Sequence, residues 1–155
     1  MKAIYFDMDG TIADLYNFKD WLPMLLDGDT TPYEKCKPMV NPRIFRAIVE
    51  ELQSAGIKIG VISWGAKGGS SEYTRRVKAA KLAWIEETYG IKLDEFHVVK
   101  YGTPKHKVRK EENSLLVDDN EEVRKAWHGS TIDASDTVGM VSALVSIACT
   151  VAGMC

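Results

Sequence analysis

The chain has 155 residues, 45% of them hydrophobic and 27% charged, with a formal net charge of −2. That length suits a single domain, residues 1–155, with its own core, the composition excludes a disordered chain, and the near-neutral charge argues against a dedicated nucleic-acid binder. Three cysteines, Cys36, Cys149 and Cys155, are scattered without metal-ligand spacing, which predicts free thiols in a reducing, cytoplasmic setting, and the strand-like N-terminus has no signal-peptide pattern.

Ala3-Ile4-Tyr5-Phe6 reads as a buried strand that ends abruptly in Asp7-Met8-Asp9-Gly10-Thr11. Buried parallel strands favour Val, Ile and aromatics, so two acids and a glycine at the carboxyl end are placed for chemistry. Asp7 and Asp9 are two apart and point the same way on an extended chain. Gly10 permits the turn that lifts the chain off the sheet. Asp7 is the candidate nucleophile, because a carboxylate can carry a phosphoryl group. Asp9 is the candidate acid and base for the leaving oxygen and for water. Two carboxylates this close repel unless a cation lies between them, and Mg²⁺ takes carboxylates together with phosphate oxygens. The competing reading is an ordinary Asp-Gly turn or a helix cap.

Residues 14–42 form a long connection broken by Pro23, Gly28, Pro32, Pro38 and Pro42, with one short helix expected around Phe18 to Leu26. A connection of this length inside a compact domain usually has a function, such as a lid. Tyr16, Phe18 and Trp21 either contact a substrate there or pin the flap to the body, the second being slightly favoured. Asn41-Pro42 opens a helix whose apolar residues Ile44, Phe45, Ile48, Val49 and Leu52 recur at helical spacing, and Ala55-Gly56 closes it.

Ile57 to Ile62 is the second strand and runs into Ser63-Trp64-Gly65. The Ser63 hydroxyl and the backbone N–H groups of Trp64 and Gly65 suit phosphoryl oxygens. Ser70 or Ser71 caps the next helix, which is expected to run to about Thr88 before Tyr89-Gly90. Tyr73, Val77, Ala80, Trp84 and Ile85 make its buried stripe, and Arg75, Arg76, Lys78 and Lys81 a basic, solvated face.

Phe96 to Lys100 is the third strand, followed by a helix capped by Thr103 and begun by Pro104. Ser114 to Val117 is the fourth, ending in Asp118-Asp119-Asn120 before a helix over Glu121–Trp127. Asp119 or Asn120 can cap that helix. Ser130 to Ile132 forms a short fifth strand, and Asp136 or Thr137 opens a last helix through the uncharged run Val138–Cys155. That run is rich in small residues and lacks a basic flank, which favours a helix packed on the sheet over a membrane anchor or an oligomer contact.

FDMDGT resembles the first motif of the haloacid dehalogenase (HAD) superfamily, a class dominated by Mg²⁺-dependent phosphatases. ISWG is similar to its second motif, a strand ending in Ser or Thr, and LLVDDN to its fourth, an apolar strand followed by an acidic pair. Its third motif is a lysine near the start of the helix after strand three. Lys105 and Lys107 both qualify, and Lys105, nearer the strand ends, is preferred. The resemblance spans nearly the whole chain and implies an α/β fold, a three-layer α/β/α sandwich on a mainly parallel, Rossmann-like sheet of strand order 5-4-1-2-3. Its flap at about 14–42 is too short for a full cap.

The resemblance also implies roles. Asp7 is the nucleophile and Asp9 the acid and base. Mg²⁺ is held by Asp7, the Asp9 carbonyl and Asp119, with Asp118 as a second ligand or as the group that orients the lysine. Ser63 and Lys105 offset charge on the phosphoryl oxygens, with Gly10, Thr11, Trp64 and Gly65 beside them. The implied reaction is Mg²⁺-dependent phosphomonoester hydrolysis through an aspartyl-phosphate. An acid at Asp9 fits a phosphatase or a phosphomutase, because members that cleave carbon–halogen bonds lack it and ATPase pumps carry Thr. The small flap disfavours a mutase, which must shield its intermediate from water.

The expected partner is a small phosphorylated substrate. FDMDGTIADLY also resembles the start of the 5′(3′)-deoxyribonucleotidases, which makes a nucleotide the preferred guess, although those enzymes carry a larger cap that this chain lacks. Alternatives are a polynucleotide 3′-phosphatase docking through Arg75–Lys81, a non-catalytic HAD-like binding module, and a membrane-tethered protein. Nucleic acid and membrane are not favoured.

Overall fold

In the computed structural model, which describes residues 1–154, the apolar run that opens the chain is the middle strand of a parallel sheet. Along the chain the elements are β1 (Ala3–Phe6), β2 (Ala13–Asp14), α1 (Trp21–Leu26), α2 (Thr31–Lys35), β3 (Lys37–Pro38), α3 (Pro42–Ser54), β4 (Lys58–Trp64), α4 (Ser71–Tyr89), β5 (Glu95–Val99), a 3₁₀ turn (Lys105–Lys107), β6 (Ser114–Asp118), α5 (Glu121–Lys125), β7 (Ser130–Asp133) and α6 (Thr137–Val151). The sheet order is β5-β4-β1-β6-β7, every pairing parallel. This is the strand order expected, with the acidic ends of β1 and β6 side by side.

Alternation along β1 divides the core. Ile4 and Phe6 face one side with Ile59, Val61, Leu115 and Val117, where they meet Phe45, Ile48, Val49 and Leu52 of α3, Trp84 and Ile85 of α4, and Met140 and Leu144 of α6. Ala3 and Tyr5 face the other side with Ile62 and Leu116, covered by Trp127 and flanked by Val108 and Val123. Gly60 makes room there, since a Cβ would lie 2.6 Å from the Tyr5 ring. The Tyr5 hydroxyl donates to Glu95 (3.0 Å) and accepts from the backbone of Lys110 (3.2 Å) and Glu111 (3.1 Å), which anchors a stretch without regular structure.

The helix boundaries expected at Asn41, Ser70, Gly90 and Asp136 are in place. Asn41 accepts from Arg43 and Ile44, Ser70 from Tyr73, and Asp136 from Gly139, while Gly90 ends α4 in the left-handed region. The helix expected after the third strand is instead a single 3₁₀ turn, Lys105–Lys107. Thr103 does not cap it; its hydroxyl bonds back to the Lys100 carbonyl at 2.7 Å. The following residues, Lys107 to Asn113, carry one apolar side chain, Val108, and no stripe to hold a helix on the sheet.

The flap is also more structured than expected. Its base is closed by antiparallel pairing of Ala13–Asp14 with Lys37–Pro38. α1 begins at Trp21, not Phe18, and α2 was not foreseen. Three aromatic side chains of α4 hold this segment down by donating to backbone carbonyls: Tyr73 to Asp29 (2.9 Å), Trp84 to Cys36 (2.9 Å) and Tyr89 to Ile12 (2.6 Å).

α6 buries Met140, Leu144 and Ala148 and leaves Val138 and Val145 exposed. Among the described residues no helix is long and apolar enough to cross a membrane. The uncharged run extends to Cys155, which lies outside the described residues.

Trp127 is fully buried, meets Tyr5 edge to face at 5.8 Å, and covers the thinly layered side of the sheet. Trp127→Ala is expected to lower stability by about 3–5 kcal/mol. Denaturant unfolding checks this, and a loss below about 1 kcal/mol would show that the second layer contributes little.

Candidate active site

The turn after β1 is wound on one carbonyl. The Met8 oxygen accepts from the N–H groups of Thr11 (3.2 Å), Ile12 (3.0 Å) and Ala13 (2.9 Å), and the Asp7 N–H still donates to Val117 at 2.8 Å. Asp7 is thereby held by the sheet while Asp9 is lifted above it. Gly10 has φ +82°, and a Cβ there would lie 2.7 Å from Asp119 Oδ2 and 2.7 Å from the Tyr16 ring. Its task is to let Asp119 and Tyr16 approach.

Asp7, Asp118 and Asp119 each present an oxygen within 4.8 Å of the others. Lys105 Nζ lies among them, 2.5 Å from Asp7 Oδ1 and 2.7 Å from Asp118 Oδ2, and is itself buried. Lys107 is exposed. The 3₁₀ turn thus delivers the first of the two candidate lysines to the acids. Asp118 Oδ1 accepts from the Asn120 N–H at 2.9 Å. Thr11, expected beside a phosphate, is fully buried and bonded to Asp119: its hydroxyl lies 3.2 Å from Asp119 Oδ1 and 3.2 Å from the Asp119 N–H.

Burial pushes the Asp118 carboxyl up to about 6, with the negative charge of Asp7 adding to it against Lys105. Burial and Asp7 push Asp119 up as well. Burial pulls Lys105 down, but its ion pairs with Asp7 and Asp118 outweigh it and hold the ammonium above its ordinary value. The oxygen-only donor set and its uncompensated crowding fit a hard divalent cation such as Mg²⁺, with Asp7, Asp118 and Asp119 as the residues able to hold it.

The second acid has its own partner, and it is a residue that charge patterning placed elsewhere. Lys81, read above as part of a solvated face, is fully buried. Its Nζ donates to Asp9 Oδ2 (2.6 Å), to Ser63 Oγ (2.8 Å) and to the Trp64 carbonyl (3.1 Å). Arg75, Arg76 and Lys78 do remain exposed. The signal for Lys81 was its spacing: it lies four residues after Val77 and four before Ile85, within the buried stripe. Asp9 Oδ1 is buried and has no hydrogen-bond partner among the described residues. Burial raises the Asp9 carboxyl, Lys81 lowers it and Asp7 raises it, with a net upward shift.

The loop after β4 alters one expectation. The Gly65 N–H donates to the Val99 carbonyl at 2.7 Å, so that amide is engaged within the sheet. Successive N–H groups of a strand point to opposite sides. The Trp64 N–H therefore faces the β1 side, where Asp7 lies. The Trp64 indole donates to the Thr103 carbonyl at 2.9 Å and fixes the loop that carries Lys105.

A cavity of about 310 Å³ opens over Asp7 and Asp9. Its wall is mostly apolar: Leu15, Tyr16, Trp21, Leu22 and Leu25 from the flap side, Trp64, Ala66 and Tyr101 from the strand ends, with Lys67 beside them. Tyr16 and Trp21 meet edge to face at 5.2 Å and line it, whereas Phe18 packs against the main core. Of the three flap aromatics, one pins the flap and two face the cavity.

The chain matches no protein-family model and no curated protein. Among solved structures it is similar to a protein from Mesorhizobium loti described as a candidate HAD-like phosphatase, with a TM-score of 0.61 and 14% identity over 97% of this chain and 87% of that one. At that identity the likeness is one of fold.

The acids set a pH dependence. Asp9, Asp118 and Asp119 bind their protons more tightly folded than unfolded, so stability falls as pH rises through the window from 3.8 to about 6 seen for Asp118. In chelator, the melting temperature is expected to fall across this window, and to fall less in Asp118→Asn. Added Mg²⁺ is expected to raise it more at about pH 7.5 than at about pH 5, because ionised ligands bind the cation. Thermal melts check both, and an Mg²⁺ effect independent of pH would remove these carboxylates as the binding group.

Proposed function

We propose that this chain is a Mg²⁺-dependent phosphomonoester hydrolase working through an aspartyl-phosphate. The observation that carries the reading is the separation of two carboxylates over one cavity: Asp7 is paired with Lys105, and Asp9 keeps a buried oxygen without a partner among the described residues. One is paired with an adjacent ammonium, and the other has its carboxyl raised by burial, so the two sit in different environments. The likeness in fold to a candidate HAD-like phosphatase agrees with this reading.

In the first half-reaction an Asp7 oxygen attacks phosphorus, the bond from phosphorus to the ester oxygen breaks, and that oxygen takes a proton from Asp9. In the second, Asp9 takes a proton from water as the water oxygen attacks phosphorus, and the bond to Asp7 breaks to release phosphate. Lys105, the Ser63 hydroxyl and the Trp64 N–H offset charge on the phosphoryl oxygens. A divalent cation held by Asp7, Asp118 and Asp119 supplies further charge neutralisation when bound.

The cavity wall bears on the substrate. A sugar phosphate needs polar partners for many hydroxyls, and this wall is dominated by leucine and aromatic side chains. We propose a compact phosphomonoester with a flat ring in its alcohol portion, a nucleotide being one such compound. Tyr16, Trp21, Trp64 and Tyr101 would make its contacts.

Hydrolysis of aryl phosphates, nucleoside monophosphates, sugar phosphates and 3′-phosphorylated oligonucleotides with Mg²⁺ tests this directly. Asp7→Asn is expected to lose about 10³-fold or more in kcat while keeping its fold. Trp21→Ala is expected to raise KM for ring-bearing esters by about 10-fold with little change in kcat. No turnover of any ester by a folded wild type would move the reading to a binding module, and preference for oligonucleotides would move it to a polynucleotide 3′-phosphatase.

A further inference from the structure

We infer that Lys81 is the positioning residue of this site: it aims the free oxygen of Asp9 at the leaving group and frees the Ser63 proton for the phosphoryl group. The inference rests on the hydrolase reading above.

Lys81 does not itself reach a substrate. An ammonium has three N–H donors. Those of Lys81 have Asp9 Oδ2 at 2.6 Å, Ser63 Oγ at 2.8 Å and the Trp64 carbonyl at 3.1 Å as acceptors. The side chain is fully buried, and the Tyr33 ring closes the space beside Nζ with its centroid at 4.6 Å. No donor is left over, so Lys81 acts through the groups it holds.

What it holds is specific. Because Asp9 Oδ2 accepts a hydrogen bond from Lys81, the oxygen that exchanges a proton with ester or water is Oδ1, the one without a partner among the described residues. The bond also restricts rotation of the carboxyl group, which otherwise would present either oxygen. Because Ser63 Oγ accepts from Lys81, its own hydroxyl proton is left for another acceptor, and the reaction brings one in the phosphoryl oxygen. Lys105 has no part in this: its side-chain bonds go to Asp7 and Asp118. The two acids of the reaction are thus held by different ammonium groups from different segments.

The roles separate by leaving group. A p-nitrophenolate departs without a proton, whereas an alkoxide needs one. The ratio kcat/KM reports the steps through formation of the aspartyl-phosphate, where Asp9 acts as acid. The two esters to compare are p-nitrophenyl phosphate and p-nitrobenzyl phosphate, which share a ring and differ in the acidity of the departing oxygen.

Lys81→Met keeps the stem and removes the ammonium. It is expected to lower kcat/KM for the benzyl ester by about 100-fold or more and for the phenyl ester by less than about 10-fold. Lys81→Gln, which keeps a donor, is expected to restore part of the benzyl activity. Placed on Asp9→Asn, Lys81→Met is expected to add less than about 10-fold, the share carried by Ser63, because the larger part of its effect runs through Asp9. Equal losses on both esters, or full additivity with Asp9→Asn, would overturn the inference and leave Lys81 structural. If Lys81→Met does not fold, Lys81→Gln carries the same comparison, and failure of both to fold would make the lysine a folding determinant only. A wild type that hydrolyses neither ester would instead overturn the hydrolase reading, an outcome distinct from equal losses in the variants.

Discussion

Four carboxylates, those of Asp7, Asp9, Asp118 and Asp119, converge where β1 and β6 end, and two buried ammonium groups stand among them. Much of the local structure follows from that crowding. Burying a charge costs several kcal/mol per ion, and only close pairing with further hydrogen bonds offsets it. Lys105 bridges Asp7 and Asp118, Lys81 holds Asp9, and backbone or hydroxyl donors from Asn120 and Thr11 occupy further oxygens. The upward shifts of Asp9, Asp118 and Asp119 say that this compensation is incomplete. A site left short of positive charge in this way is suited to take a divalent cation and a reaction partner.

The scaffold supplies the rigidity that such an arrangement needs. β1 sits between β4 and β6, so the strand carrying the nucleophile candidate is fixed on both edges. The turn wound on the Met8 carbonyl then places Asp9 two residues on. α4 does more than cover the sheet. It brings Lys81 into the site, and through Tyr73, Trp84 and Tyr89 it ties the flap and the end of the Asp9 turn to the body. One helix thereby links the wall of the cavity to the acid beneath it.

Legibility in the sequence was uneven, and the reason is the range of the interaction involved. Strand ends, the acidic pairs after β1 and β6, and the caps at Asn41, Ser70, Gly90 and Asp136 depend on residues near one another along the chain. The flap did not yield to such reading. Its base is a pairing of Ala13–Asp14 with Lys37–Pro38, too short for a periodic signal, and its tethers are single aromatic donors from α4. After β5, Thr103 and Pro104 predict a helix, yet the segment lacks the apolar stripe that would hold one, and Tyr5 anchors it instead.

The sequence by itself determined that apolar runs end in Asp7 and Asp9 and in Asp118 and Asp119, because buried strands put their acids at the ends; the strand order that brings these ends together came from the resemblance its motifs carry. It left open which of Lys105 and Lys107 turns inward, what becomes of the Gly65 N–H, and where Lys81 goes. Only the tertiary structure decided these. Lys105 and Lys107 differ by the direction a single 3₁₀ turn takes, and the Gly65 amide is captured by the Val99 carbonyl of a distant strand. Lys81 joins two charged patterns that sequence keeps apart, a basic residue on α4 and an acid at position 9, and a charge becomes a buried partner only when its counter-charge arrives through the fold.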